Sequence, residues 1–199
     1  MSRTASLDRR TRETEVQVTL TLDGTGRSRI NTGVGFLDHM LDQLARHGLF
    51  DLEVQARGDL PVDAHHTVED VGIALGQVWR EALGERRGIC RFGEAHVPLD
   101  EALARVVVDL SNRPHLTWQV VFPTEKVGQW DTELFREWFA AFADNGRLCL
   151  HVASLAGSNS HHIAESCFKA LAVALRKACA LDPGRGPDAI PSTKGTLSV

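Results

Sequence analysis

Apolar side chains recur at helical spacing in two runs that open alike. HHTVEDVGIALGQVWREA (His65 to Ala82) and HHIAESCFKALAVALRKA (His161 to Ala178) each begin with adjacent histidines and carry a glutamate three residues after the second. In register, Val68, Val71, Leu75, Val78 and Ala82 match Ala164, Cys167, Leu171, Ala174 and Ala178, so the spacing predicts two equivalent amphipathic helices. Upstream, Phe36 to His47 places Leu37, Met40, Leu41 and Leu44 on one helical face and His39, Gln43 and His47 on another. Thr132 to Asp144 repeats that design with Phe135, Trp138, Phe139 and Phe142. Gly48 or Gly146 follows, and then a strand-like alternation through Leu52, Val54 and Ala56 or Leu148, Leu150 and Val152. Further strands are expected at Val16 to Leu22, which ends before the DGTG turn, at Ala104 to Leu110 and at Thr117 to Phe122.

The order helix, strand, HHxxE helix therefore occurs twice. Elements that are apolar on one side only predict an α+β fold with helices packed against one face of mainly antiparallel sheets. Two duplicated half-domains, residues 1–90 and 91–199, would be related by a pseudo-twofold axis, each carrying one HHxxE helix. The polar first dozen residues and the Gly/Pro-rich stretch Pro183 to Gly195 read as tails.

Composition narrows the function more than the fold. A formal charge of -4 and a pI near 6.1 weigh against nucleic acid as a partner. No apolar run is long enough to span a bilayer, and the opening MSRTASLDRRTRE lacks the apolar segment of a secretory signal, so a cytoplasmic location is expected. Cys90, Cys149, Cys167 and Cys179 are too irregularly spaced for a disulfide framework or a zinc–thiolate site.

The nine histidines, by contrast, cluster. His65 and Glu69, and likewise His161 and Glu165, share a helix face at i, i+4 spacing, while His66 and His162 point about 100° away. One helix cannot aim both imidazoles at one ion, but it can supply one to each of two, so the repeat predicts two metal sites. Imidazole and carboxylate suit Mn²⁺, Fe²⁺ or Zn²⁺, with zinc disfavoured by the lack of grouped thiolates. A carboxylate alone would serve helix capping, which has no use for four imidazoles. His39, on the polar face of its helix, and His151, alternating away from Leu150 and Val152, are further candidate ligands. RFG (Arg91 to Gly93), SNRPH (Ser111 to His115), Lys169 and STKG (Ser192 to Gly195) are arrangements able to meet an oxyanion.

Long motifs in order then give the chain a resemblance to the imidazoleglycerol-phosphate dehydratase family of histidine biosynthesis, from about Arg9 to Leu197. They are RRTRET, DGTG, FLDHMLDQLARHG, AHHTVED, RFG, DLSNRPH, GSNSHHIAESCFKA and PSTKG. The resemblance implies a hydro-lyase that converts D-erythro-imidazoleglycerol phosphate to imidazole acetol phosphate. Activation would come from the substrate ring, held as an imidazolate by metal and passing through a diazafulvene-like intermediate. It implies as metal ligands His39, His65, His66, Glu69, His151, His161, His162 and Glu165, which make two Mn²⁺ sites per subunit equivalent. Phosphate would be held by Arg91, Arg113, Lys169, Ser192 and Lys194, while Glu13 and Gln43 approach the substrate. Glu13, Glu69 and Glu165 are the candidate catalytic carboxylates, with Glu13 preferred for proton transfer. The sites would lie between subunits of a homo-oligomer, assembled as trimers and then as a 24-subunit shell. Asn112 stands where the family commonly has glycine, and Ala64 where it often has aspartate. A metal-dependent hydrolase or isomerase of another phosphorylated ligand, or a metal-storage shell, would share the histidines; product identity separates the first and anion binding the second.

Overall fold

The computed structural model describes residues 3–197. Its first sheet contains β1 (Thr4–Arg10), β2 (Thr14–Thr21), β3 (Ser28–Asn31) and β4 (Asp51–Gly58) in the order β1-β2-β4-β3. Val16, Val18 and Leu20 of β2 lie opposite Ala56, Val54 and Leu52 of β4, so both strands turn apolar side chains to one face. Helix α1 (Gly35–Gly48) separates β3 from β4, and α2 (His65–Leu83) follows β4.

The second sheet has the same connectivity. Strands β5 (Phe92–Leu99), β6 (Ala102–Asp109), β7 (His115–Gln119) and β10 (Cys149–Ala156) lie in the order β5-β6-β10-β7. Pairing is antiparallel except for β3 with β4 and β7 with β10, which satisfies the α+β expectation of mainly antiparallel, duplicated sheets. A short hairpin of β8 (Lys126–Val127) and β9 (Trp130–Asp131) precedes α3 (Glu133–Gly146), and α4 (Ser160–Cys179) follows β10.

The helices connect the two sheets by crossing. Helix α2 covers β1, β2 and β4, and α4 covers β5, β6 and β10, but α1 packs on α4 and α3 packs on α2. Each helix pair therefore draws one member from each half. Small residues permit this closeness: a Cβ on Gly76 of α2 would lie 2.8 Å from Phe142 O and from Gly146 N. Gly93 has the same role between β5 and α4, where a Cβ would lie 2.0 Å from Ala174 O. The glycine of RFG is thus a packing residue. Trp138 stacks on Phe142 with centroids 5.3 Å apart and meets Phe168 at 4.8 Å, joining α3 to α4 through one buried aromatic cluster.

Several strands depart from the sequence expectations. Residues Thr4–Arg10, expected as tail, form β1. Only Ala5 is fully buried there, and the outer face pairs hydroxyls, Thr4 with Thr21 and Ser6 with Thr19, so the apolar alternation is faint. The sequence reading also passes over β3 and β5, one very short and the other interrupted by Gly93 and Pro98. Strand β7 is displaced toward the N-terminus of the expected Thr117 to Phe122, because its register is set by β10, with His115 opposite Cys149.

The DGTG turn closes around Asp51, whose Oδ1 accepts from Thr25 N at 2.8 Å and Arg27 N at 3.0 Å. Gly26 there has φ +84. Those backbone hydrogen bonds hold the Asp51 carboxyl down at about 2. Because the folded-state value is depressed, the stabilisation is present above the ordinary carboxylate range and lost as pH falls through the folded value. Asp51→Asn should therefore lower the melting temperature at pH 7, by an amount set by a loss of about 1 kcal/mol, and the gap from the unmodified protein should close between about pH 4 and pH 2. Gly93→Ala should be the more damaging change, costing about 1–3 kcal/mol by overpacking in chemical denaturation.

Candidate metal centre and anion pocket

The crossing of α1 and α4 brings three sequence-predicted ligands together. His39 Nε2 from α1 and His161 Nε2 from α4 both lie 3.1 Å from Glu165 Oε2. Among the described residues this is the group of three whose donor atoms all fall within 4.8 Å of one another. Glu165 is 8% exposed, and its other oxygen, Oε1, is 2.6 Å from Lys169 Nζ. Burial pushes the Glu165 carboxyl up, yet hydrogen bonds from Lys169, His39 and His161 outweigh it and bring it to about 2. The group is anionic and ready to receive positive charge. Phe36 packs edge-on against His161 at 5.1 Å and tilts against Trp130, giving the histidines an apolar wall. Two imidazole nitrogens and one carboxylate oxygen converging on a single point form a donor set suited to a borderline divalent cation.

The start of α4 is organised by Asn159, whose side chain accepts from His161 N and His162 N. Helix α2 lacks such a cap because Ala64 has no acceptor; Asp63 Oδ1 takes the His65 N–H instead, at 2.8 Å. In both helices the paired histidine rings stand nearly perpendicular, at 89° and 85°, and the step of about 100° around the helix sends the two side chains in different directions. His66 therefore leaves its helix toward Asp59, with Nδ1 at 3.0 and 3.2 Å from the two carboxylate oxygens. His162 similarly meets Glu101 at 2.7 Å. These carboxylates raise both histidines above their ordinary range, and the His162 bond brings Glu101 down to about 2. Half-buried His65 and Glu69 join no group of three donors among the described residues. Exposed His151 alternates with buried Leu150 and Val152, so it faces away from α4, and its ring lies 5.7 Å from that of His115. One chain thus gathers three of the eight expected ligands and holds the other five apart from them.

The basic residues divide in the same way. Arg91, Arg113, Ser192 and Lys194 line a cavity of about 320 Å³, together with Ser111 and Thr193, which sequence reasoning did not single out as ligands. Arg91 builds the pocket: its guanidinium bridges Asp109 at 2.7 and 3.1 Å and donates to Pro191 O at 2.8 Å, fastening the C-terminal tail to the second sheet. Lys169 lies with Glu165 rather than in this pocket. Gln43 Oε1 is 3.0 Å from His47 Nε2 on the exposed side of α1. Glu13 is exposed on a separate cavity of about 260 Å³ with Arg57 and Asp59, and its Oε2 is 3.8 Å from His66 Nδ1. Two of the motifs prove structural in part: Arg9 of RRTRET and Asp70 of AHHTVED form an ion pair at 2.6 Å, and Thr14 donates to the same carboxylate.

Asn112 adopts φ +63, a left-handed conformation that asparagine tolerates better than most residues. Its side chain adds what glycine cannot, since Arg147 Nε donates to both Asn112 O at 3.0 Å and Asn112 Oδ1 at 3.1 Å.

Comparison with known proteins agrees along the whole chain. The family profile described as imidazoleglycerol-phosphate dehydratase matches residues 32–175. The protein of that name from Magnetococcus marinus is 68% identical over 198 residues, covering 100% of each chain. That from Methylobacterium radiotolerans is 60% identical over 195 residues, covering 98% of this chain and 100% of its own. The crystal structure of imidazoleglycerol-phosphate dehydratase from Staphylococcus aureus superposes with a TM-score of 0.80 at 40% identity, covering 88% of this chain and 97% of that one. The Pyrococcus furiosus structure, in complex with (S)-C348, gives 0.82 at 36% identity, covering 96% and 99%.

The Asn112 geometry makes a direct prediction. Asn112→Val, with a branched side chain at positive φ, should cost about 1–2 kcal/mol in denaturant unfolding, whereas Asn112→Gly, which loses the Oδ1 bond to Arg147 but relieves the left-handed backbone, should stay near the unmodified protein.

Proposed function

The chain belongs to the imidazoleglycerol-phosphate dehydratase family, and from that premise we propose that it dehydrates D-erythro-imidazoleglycerol phosphate to imidazole acetol phosphate in L-histidine biosynthesis. The carrying observation is the meeting of His39, His161 and Glu165 on one point within an α1–α4 contact.

The reaction must break a C–H bond on a carbon with no neighbouring carbonyl. Hydroxyl leaves from the carbon beside the ring, a proton leaves from the next carbon, and the resulting enol becomes a ketone by taking a proton at the ring-side carbon. Divalent cations, Mn²⁺ in this reading, would supply positive charge that favours the anionic form of the substrate ring, and such a ring could expel the hydroxyl through a diazafulvene-like species. His39, His161 and Glu165 would hold one cation. His65, His66, Glu69, His151 and His162 would complete the two sites per subunit equivalent with a neighbouring copy, since His151 faces away from α4 within its own chain. This supports a homo-oligomer with shared sites, in this reading a 24-mer built from trimers. Among the described residues no helix is long and apolar enough to cross a membrane, in keeping with a cytoplasmic enzyme.

Arg91, Arg113, Ser192 and Lys194 would grip the phosphate in their common cavity and so hold the reacting carbons in register. Arg91 is already oriented by Asp109, which keeps it from folding away before substrate arrives. Lys169 would reach the substrate from the side of Glu165, and Gln43 from the adjoining face of α1. Glu13, exposed and beside His66, is the carboxylate free to move a proton, whereas Glu69 and Glu165 serve chiefly as ligands.

Metal-stripped protein should form the ketone from imidazoleglycerol phosphate only after Mn²⁺ is restored; absence of the ketone from assembled, manganese-loaded protein would refute the activity. Glu165→Gln should lose bound manganese and at least ~10²-fold in turnover. Lys194→Gln should act chiefly on KM, raising it ~10-fold or more with manganese content unchanged, as steady-state kinetics and metal analysis would show.

A further inference from the structure

The two histidines that turn away from the α1–α4 group are held by carboxylates from unrelated parts of the chain. Asp59 lies in the loop between β4 and α2, seven residues before His66, and both its oxygens address Nδ1. Glu101 lies in the β5–β6 turn, 61 residues before His162, and addresses Nδ1 through Oε2 alone. Neither belongs to the HHxxE repeat, and they differ in side-chain length, yet both end on the same nitrogen of equivalent histidines. Two different routes to one contact indicate a shared requirement.

A carboxylate accepts and does not donate. A neutral imidazole facing it must carry its proton on Nδ1, which leaves the lone pair on Nε2. We infer that Asp59 and Glu101 are positioning residues that lock His66 and His162 in the tautomer whose Nε2 is free to bind a divalent cation. This rests on the reading of those two histidines as metal ligands. Other charged groups nearby do not match the role: Glu13 Oε2 stands 3.8 Å from His66 Nδ1, and Asp100 Oδ2 stands 3.9 Å from His162 Nε2, both beyond hydrogen-bond length.

The surroundings of the two carboxylates differ in a way that sharpens the test. Glu101 Oε1 accepts from Ser158 N at 3.0 Å and Asn159 N at 2.8 Å. In Glu101→Gln these backbone donors claim the amide oxygen, so the amide NH₂ faces His162 Nδ1 and enforces the wrong tautomer in an isosteric side chain. Among the described residues the Asp59 carboxylate has no such backbone donors and bonds His66 alone. In Asp59→Asn the amide can therefore rotate its oxygen toward Nδ1 and preserve the contact.

The experiment is equilibrium dialysis of metal-stripped full-length protein against buffered Mn²⁺, with bound manganese counted and the fold checked by circular dichroism. Glu101→Gln and Asp59→Ala should each weaken one class of site by ~10–100-fold and leave the other class filled. Asp59→Asn should recover most of the affinity lost in Asp59→Ala, and Asp100→Asn should bind as the unmodified protein does. Full affinity in folded Glu101→Gln, or equal losses in Asp59→Asn and Asp59→Ala, would overturn the assignment while leaving the metal reading intact. Unmodified protein that takes up no manganese would sink both.

Discussion

Glu165 is a carboxylate placed almost out of water, and a buried charge persists only if it is paired. Its partners come from two directions, His161 and Lys169 along its own helix and His39 from α1. Docking of α1 on α4 and ionisation of Glu165 therefore support each other. Removing one imidazole leaves the charge less compensated, while adding a cation meets a donor set that the helix contact has already assembled. Pairing energy that would otherwise serve stability alone is held at the point where chemistry is proposed.

That arrangement depends on how closely the helices approach. Gly76 lets α3 lie against α2, and Gly93 lets α4 lie on β5. The aromatic cluster of Trp138, Phe142 and Phe168 fills the space between α3 and α4. The apolar core sets the helix positions, and the polar groups at the helix starts inherit them. The anion pocket uses a separate device: Arg91 gives three of its five N–H groups to Asp109 and Pro191 O and keeps two, so a tail without helix or strand is fastened over the second sheet with donors still left for an anion.

At two positions beside the site, neighbouring groups settle the local backbone. Asn112 accepts a left-handed backbone and gains a bond to Arg147. Ala64 leaves α2 without a side-chain cap, and Asp63 supplies the acceptor one residue earlier. These contacts hold the backbone just before Arg113 on one side and His65 on the other.

The sequence by itself determined the elements whose apolar spacing is strong: the four amphipathic helices, β2, β4, β6 and β10, and the doubled HHxxE starts. Local periodicity suffices there because each segment has one face to bury. It could not show β1, whose outer face is all hydroxyl and charge, nor the register of β7, which its parallel neighbour decides. It identified His39, His161 and Glu165 as ligand types through motif and resemblance, but nothing in residue spacing says that α1 of one half packs on α4 of the other. Only the tertiary structure decided that pairing, because helix crossing is chosen by the fit of side chains and glycine gaps distant in sequence. The same holds for Asp59 and Glu101, which reach equivalent histidines from separations of seven and 61 residues and so leave no repeat to read.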